Sequence, residues 1–138
     1  VQAGEPEISG AFELAYQFEP RVQGDDRPLS LSSLEYDPFN KRLLATTSHE
    51  QGDQIGGYLW ALPLPLLEPD GSGTPLPFLG PDGSPLWFDN KPEGVVALNA
   101  RQVMVVHDDD RVQVAESARG KAKQANEFTY SVIELGNP

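Results

Sequence analysis

The sequence predicts an all-β fold built from two similar strand units, and three observations carry that prediction. Short stretches alternate apolar and polar residues with a period of two, as in FELAYQF at residues 12–18. With 13 prolines and 13 glycines among 138 residues, the chain is interrupted too often for long helices. One order of elements also occurs twice, at residues 31–64 and again at 92–135. It runs strand, tight turn, apolar strand ending in histidine, polar loop, strand.

Taken in order, Phe12, Leu14, Tyr16 and Phe18 face one way and Glu13, Ala15 and Gln17 the other, which predicts a half-buried strand. Residues 20–30 hold two prolines, a glycine and an Asp-Asp pair and read as a loop. Leu31–Tyr36 and Arg42–Ser48 form a hairpin across Asp37-Pro38-Phe39-Asn40, where Asp starts a type I turn and Pro presets φ at the next position. The polar stretch HEQGDQIGG at 49–57 reads as a loop leading to a third strand, Tyr58–Leu64. Among the prolines that follow, LPFL at 76–79 fits a short edge strand. The order then recurs: residues 92–99, a turn at Asn99-Ala100-Arg101, residues 102–107, a long polar stretch, and Phe128–Leu135. A short helical turn is expected near Glu116–Gln124, interrupted by Gly120.

At 38% hydrophobic and 22% charged residues, the composition is that of a folded chain, long enough for one domain spanning 1–138. A net charge of −11 repels phosphate backbones and anionic lipid, so neither nucleic acid nor a membrane surface is expected as a partner. No apolar run approaches the ~18 residues of a membrane-spanning helix. The absence of cysteine excludes disulfides, thiolate metal sites and a cysteine nucleophile. Val1 in place of Met is expected of a processed, trimmed or excerpted chain.

Repeated meander units with a period of about 60 residues suggest a sandwich, a barrel or propeller blades, and their repetition strand for strand favours the blades of a β-propeller. One unit covers about 31–79 and the other about 92–135, each an antiparallel meander, with strand 12–18 completing the second. Two blades cannot close a ring. Their exposed edges and faces call for partners, either sister copies or the remaining blades of a longer chain.

Several residues stand out as candidate sites. In a blade, the entry to the first strand and the exit from the second lie at the same rim, so Asp89 and Glu93 can meet Asp108, Asp109 and Asp110. Carboxylates gathered in this way suit Ca²⁺, a hard cation that takes six to eight oxygens; three consecutive aspartates are equally the pattern of a solvated loop. His49 and His107 close equivalent strands, each followed by an acid, and read as metal ligands, proton shuttles or strand-ending histidines bonded to their own loops. Trp87, beside Phe88, can stack on a sugar or peptide or pack between blades. Arg119, Lys121 and Lys123 form a small basic run in the long polar stretch. No GxSxG elbow is present, and Ser48 beside His49 points to the opposite face, so no nucleophile is assigned and any catalytic residue is unknown.

The stretches LSSLEYDPFNKRLLATTS and DNKPEGVVALNARQVMVVHDDD resemble the phytase-like and SdiA-regulated-like β-propeller proteins. Those carry an opening ISGLxYDPxxxRLLAVSD strand and a later strand introduced by DxEG or KPEG. The resemblance covers roughly residues 30–64 and 85–110. It implies a secreted or periplasmic propeller, sometimes esterase-like, of which this chain holds about half a ring. The family's acid before the glycine maps to Glu93, and the acids after the second strand map to Asp108 and Asp109. Where the family has Ser-Asp after the first hairpin, this chain has Ser48-His49-Glu50. Two functions are therefore expected: a binding or assembly module of an extracytoplasmic protein, or a cation-assisted phosphoesterase or esterase of phytase-like kind.

Overall fold

The structure, a computed structural model, describes residue 10 and residues 17–52, 54–64, 73–108 and 128–135. These form two antiparallel sheets and no helix, so none of the described residues lies in a helix long and apolar enough to cross a membrane. The first sheet contains β1 (Ser30–Asp37), β2 (Arg42–Gln51), β3 (Gln54–Pro63) and β4 (Leu76–Pro77) in that order, with β5 (Trp87–Phe88) also pairing β3. The second contains β6 (Lys91–Asn99), β7 (Gln102–Asp108) and β8 (Thr129–Glu134) in that order. Strands lie at the positions expected within 31–64 and within 92–135, in the same order. The sheets are open and do not close on each other or into a ring.

The first hairpin forms where the Asp-Pro-Phe-Asn turn is expected. Asp37 is fully buried, and its carboxylate accepts the backbone N–H groups of Phe39 and Asn40 (both 3.1 Å), the Asn40 amide (2.8 Å) and Arg42 Nε (3.0 Å). Burial pushes this carboxyl up, but the Asn40 and Arg42 hydrogen bonds outweigh it and hold it below the usual carboxylate range. Lys41 completes the turn with φ of 52°, in the left-handed region.

The expected loop at 49–57 is instead a second hairpin. The β2–β3 ladder continues through His49↔Gly56, Glu50↔Ile55 and Gln51↔Gln54. Gly52, at φ 61°, opens a connection of only two residues, and a Gly-Asp pair is suited to that turn. β3 therefore begins four residues before the expected Tyr58. The LPFL segment supplies β4, paired to Trp60 and Ala61.

The strand expected over 12–18 lies outside the described residues except for Gln17 and Phe18, which are in no strand. Phe18 does not join the second unit. Its ring meets Trp60 edge-on at 5.2 Å, on the side of the first sheet that faces away from the second. The helical turn expected at 116–124 and the basic run Arg119, Lys121 and Lys123 lie outside the described residues.

Two apolar clusters sandwich the first sheet. Leu44 and Leu59 pack on Phe88, Val95, Val103 and Val105, which joins the two sheets. On the other side, Ala45, Tyr58, Trp60 and Leu62 pack on Val22, with Phe18, Leu29, Leu43 and Trp87 around them. Gly57 permits the close approach of the sheets, because a Cβ there would run into the Thr47 carbonyl and stand 2.8 Å from the Pro92 ring of β6. The units lie side by side in the same direction. Asn40 Nδ2 of the first hairpin donates to the Ala100 carbonyl of the second (3.2 Å), and at the opposite end Lys91 Nζ lies 3.5 Å from Glu50.

Candidate functional site

Counted from their hairpins, the two units can be matched residue by residue. In the first, Leu44 opposes Ala61 and Thr46 opposes Leu59; in the second, Met104 opposes Val132 and Val106 opposes Tyr130. Strand residues alternate between faces, so these four pairs mark the same face of each unit. In the first sheet that face is covered: Leu44, Thr46 and Leu59 have no exposed surface, and Leu44 and Leu59 lie against β6 and β7. In the second sheet the same face is open. Met104 and Val106 are half-buried, while Tyr130 and Val132 are 56% and 48% exposed.

The alternate face repeats the logic. Val103, Val105, Ile133 and Ala97 turn toward the first sheet, as their counterparts Leu43, Ala45 and Leu62 turn toward Val22 and Leu29. The two units are thus stacked head to tail, each offering one face forward and the other back. In a two-fold sandwich, Leu44 and Leu59 would meet Met104 and Tyr130 instead. The open forward face of the second sheet is the principal candidate surface. It carries Val96, Met104, Val106, Tyr130 and Val132, with Phe128 6.5 Å from Tyr130 at one end, and at the other Gln102 hydrogen-bonded to Glu134.

The back of the first sheet is closed by residues 17–29. Arg27 makes a two-pronged ion pair with Asp25, at 2.8 Å through Nε and 2.7 Å through Nη2, and its guanidinium lies 3.6 Å from the centre of the Trp87 ring. Tyr58 donates its hydroxyl to Asp25 at 2.6 Å. The Arg27 hydrogen bonds hold the Asp25 carboxyl well below the usual carboxylate range, against the upward effect of burial. Burial, with the bond to Asp25, pushes the Tyr58 phenol up to about 12.

The residues singled out in the sequence are placed as follows. Trp87 is packed: Arg27 covers one face of its ring and Tyr58 meets it edge-on at 5.0 Å. His49 is 2% exposed and on the back of the first sheet, with Nδ1 3.0 Å from the Pro28 carbonyl. A carbonyl only accepts, so Nδ1 is the donor in this contact. The ring's Nε2 is buried with no hydrogen-bond partner among the described residues. His107 is buried between the sheets, 2.9 Å from Ser131 Oγ through Nε2 and beside the Phe88 ring. By register from the hairpins, His107 matches Thr47 and not His49, so the two histidines are not equivalent and lie on opposite sides of the first sheet.

Within the acidic cluster, Asp89 is exposed and Glu93 is bound by Lys91 at 2.7 Å. Lys91 also pairs across the ladder with Asp108, and its own proton affinity is raised, first by Glu93. Asp109 and Asp110 lie outside the described residues. A lysine ammonium therefore sits among Glu50, Glu93 and Asp108, and among the described residues no group of three or more His, Cys, Asp or Glu side chains could hold a metal ion.

Sequence reasoning missed Lys91, the Asp25–Arg27–Tyr58–Trp87 latch and the open face. The open face did leave a signal. QVMVVH is apolar at both parities, and so in part is FTYSVIEL, as expected of strands with two faces to cover. No protein-family model matches the chain, and neither does any curated protein or solved structure.

Proposed function

We propose that this chain is a stack of two propeller-type blades and serves as an assembly module of an extracytoplasmic protein, its open forward face receiving a further β-sheet layer. The observation that supports this reading is the head-to-tail stacking of the two units. Successive propeller blades each set one face against the next blade and the other against the previous one. The open face matches, position for position, a face that the second unit already covers in the first. Burying apolar surface at roughly 25 cal/mol per Å² makes covering such a face favourable. The extracytoplasmic location follows the resemblance of the YDPFNKRLLA and KPEG stretches.

The test is to append a second copy of residues 91–135 through a flexible linker. The added unit brings a Val103–Val105–Ile133 face of the kind that already covers Leu44 and Leu59. On this reading it docks on the open face, shields the first Met104 methyl from a soluble paramagnetic agent and raises the melting temperature by several degrees. An unchanged Met104 signal and melting temperature would count against the reading.

A further inference from the structure

Residues 17–29 occupy the back of the first sheet, where the head-to-tail order would otherwise set the forward face of a preceding unit. They do so without extending the sheet. Their local turn closes through Asp25 N–H to the Val22 carbonyl (3.0 Å), and the Pro28 carbonyl takes up His49 Nδ1. Beyond that bond, the contacts that hold the segment run through side chains. Phe18, Val22 and Leu29 lie on Trp60 and its neighbours, and Arg27, paired with Asp25, bears on Trp87 and Tyr58. Burial alternates along the segment: Val22, Asp25, Arg27 and Leu29 turn inward, while Glu19, Arg21, Gln23 and Asp26 are exposed. An apolar inner side with a polar outer side is what ends a stack of repeats in solution.

We propose that this segment is a built-in cap that prevents head-to-tail association of copies of the chain, the excluded partner being the open forward face of a second copy. The inference rests on the head-to-tail reading above. Each chain carries both halves of a heterologous contact: the Met104, Val106, Tyr130 and Val132 face at one end, and the Ala45, Tyr58, Trp60 and Leu62 face at the other. Such a contact propagates into rings or filaments unless one half is covered. The cap covers the second half, and the Arg27 latch keeps it in place. At −11 per chain, copies repel one another, so release of the cap shows most clearly at high salt.

The experiment measures solution mass against concentration, at physiological and high salt, for the full chain and for Arg27→Ala and Val22→Asp, with exchange of the Asp25 amide reporting release of the cap. The full chain is expected to hold one mass. Both variants lose Asp25 protection and rise with concentration to two chains or more, and adding Val132→Lys to either returns it to the mass of one. Four results would overturn the proposal: a full chain that already associates through Val132, Asp25 protection retained in both variants, released variants that remain at one mass, or association indifferent to Val132→Lys. Failure here with success of the appended third layer would remove the cap and leave the forward face standing.

Discussion

Leu59 and Tyr130 hold the same register position in their sheets, opposite Thr46 and Val106, yet Leu59 is sealed and Tyr130 is 56% exposed. The difference lies in what stands in front of each. β6 and β7 cover Leu59, and nothing among the described residues covers Tyr130.

A pair of neighbouring substitutions follows from this. Val132→Lys changes an exposed position and is expected to shift stability by no more than about 0.5 kcal/mol. Ile133→Lys, one residue on, puts an ammonium beside Val103 and is expected to cost about 3 kcal/mol. Urea denaturation of the two variants checks the contrast, and equal effects would mean that the faces of β8 are misassigned.

Trp60 anchors the back of the first sheet, buried and donating Nε1–H to Thr47 Oγ1 at 2.8 Å. Trp60→Phe removes ring volume and leaves a buried hydroxyl without its donor, an expected loss of about 2 kcal/mol. Thr47→Val in the Trp60→Phe background should recover part of it. Additive losses in a double-mutant cycle would show that the hydrogen bond carries no coupling.

The latch gives stability a pH dependence at both extremes. The Asp25 carboxyl is depressed in the fold, so its contribution is present above the ordinary carboxylate range, near pH 4, and is lost as the pH falls below it. The Tyr58 phenol is raised from 10.0 to about 12, so its contribution is complete below pH 10 and is lost as the pH climbs toward 12. Tyr58→Phe is expected to flatten the alkaline limb of a stability–pH curve, and Asp25→Asn the acid limb. The measurement is denaturant midpoint against pH, and an alkaline limb unchanged in Tyr58→Phe would contradict the assignment.

Gly57→Ala tests how closely the sheets approach. A methyl there meets the Thr47 carbonyl and the Pro92 ring, so β6 must move away from β3. The expected cost is at least about 3 kcal/mol, read from the denaturation midpoint. Gly83→Ala has open space at its Cβ and only a φ of 79° to strain, so it should cost about 1 kcal/mol.

Most of the strands were legible because their punctuation is local. Asp37-Pro38 and Asn99-Ala100-Arg101 carry their turns within a few residues, and the ladders follow from period-two alternation. Gly52-Asp53 was as good a signal, but the surrounding His, Glu and Gln residues resembled a solvated loop. The N-terminal segment was read as a loop, with nothing to say what it covers. What makes it a cap is the bond between Asp25 and Tyr58, 33 residues apart, and composition carries no trace of such a pairing. Similarly, Lys91 was read only as the first residue of KPEG, and the bond of its ammonium to Glu93 left no mark in the sequence. The direction of stacking was not legible at all. Alternation shows that a strand has two faces, but which face of one sheet meets which face of the next is a long-range fact.

That direction is also what the account depends on most, and Met104, the single methionine of the chain, reports on it directly. In protein labelled at the methionine, leucine and valine methyls, nuclear Overhauser contacts are expected between Leu44 or Leu59 and Val103 or Val105. The Met104 methyl is expected to relax rapidly in the presence of a soluble paramagnetic agent. Contacts from Leu44 or Leu59 to the Met104 and Val132 methyls, with Met104 shielded, would describe a two-fold sandwich and contradict head-to-tail stacking.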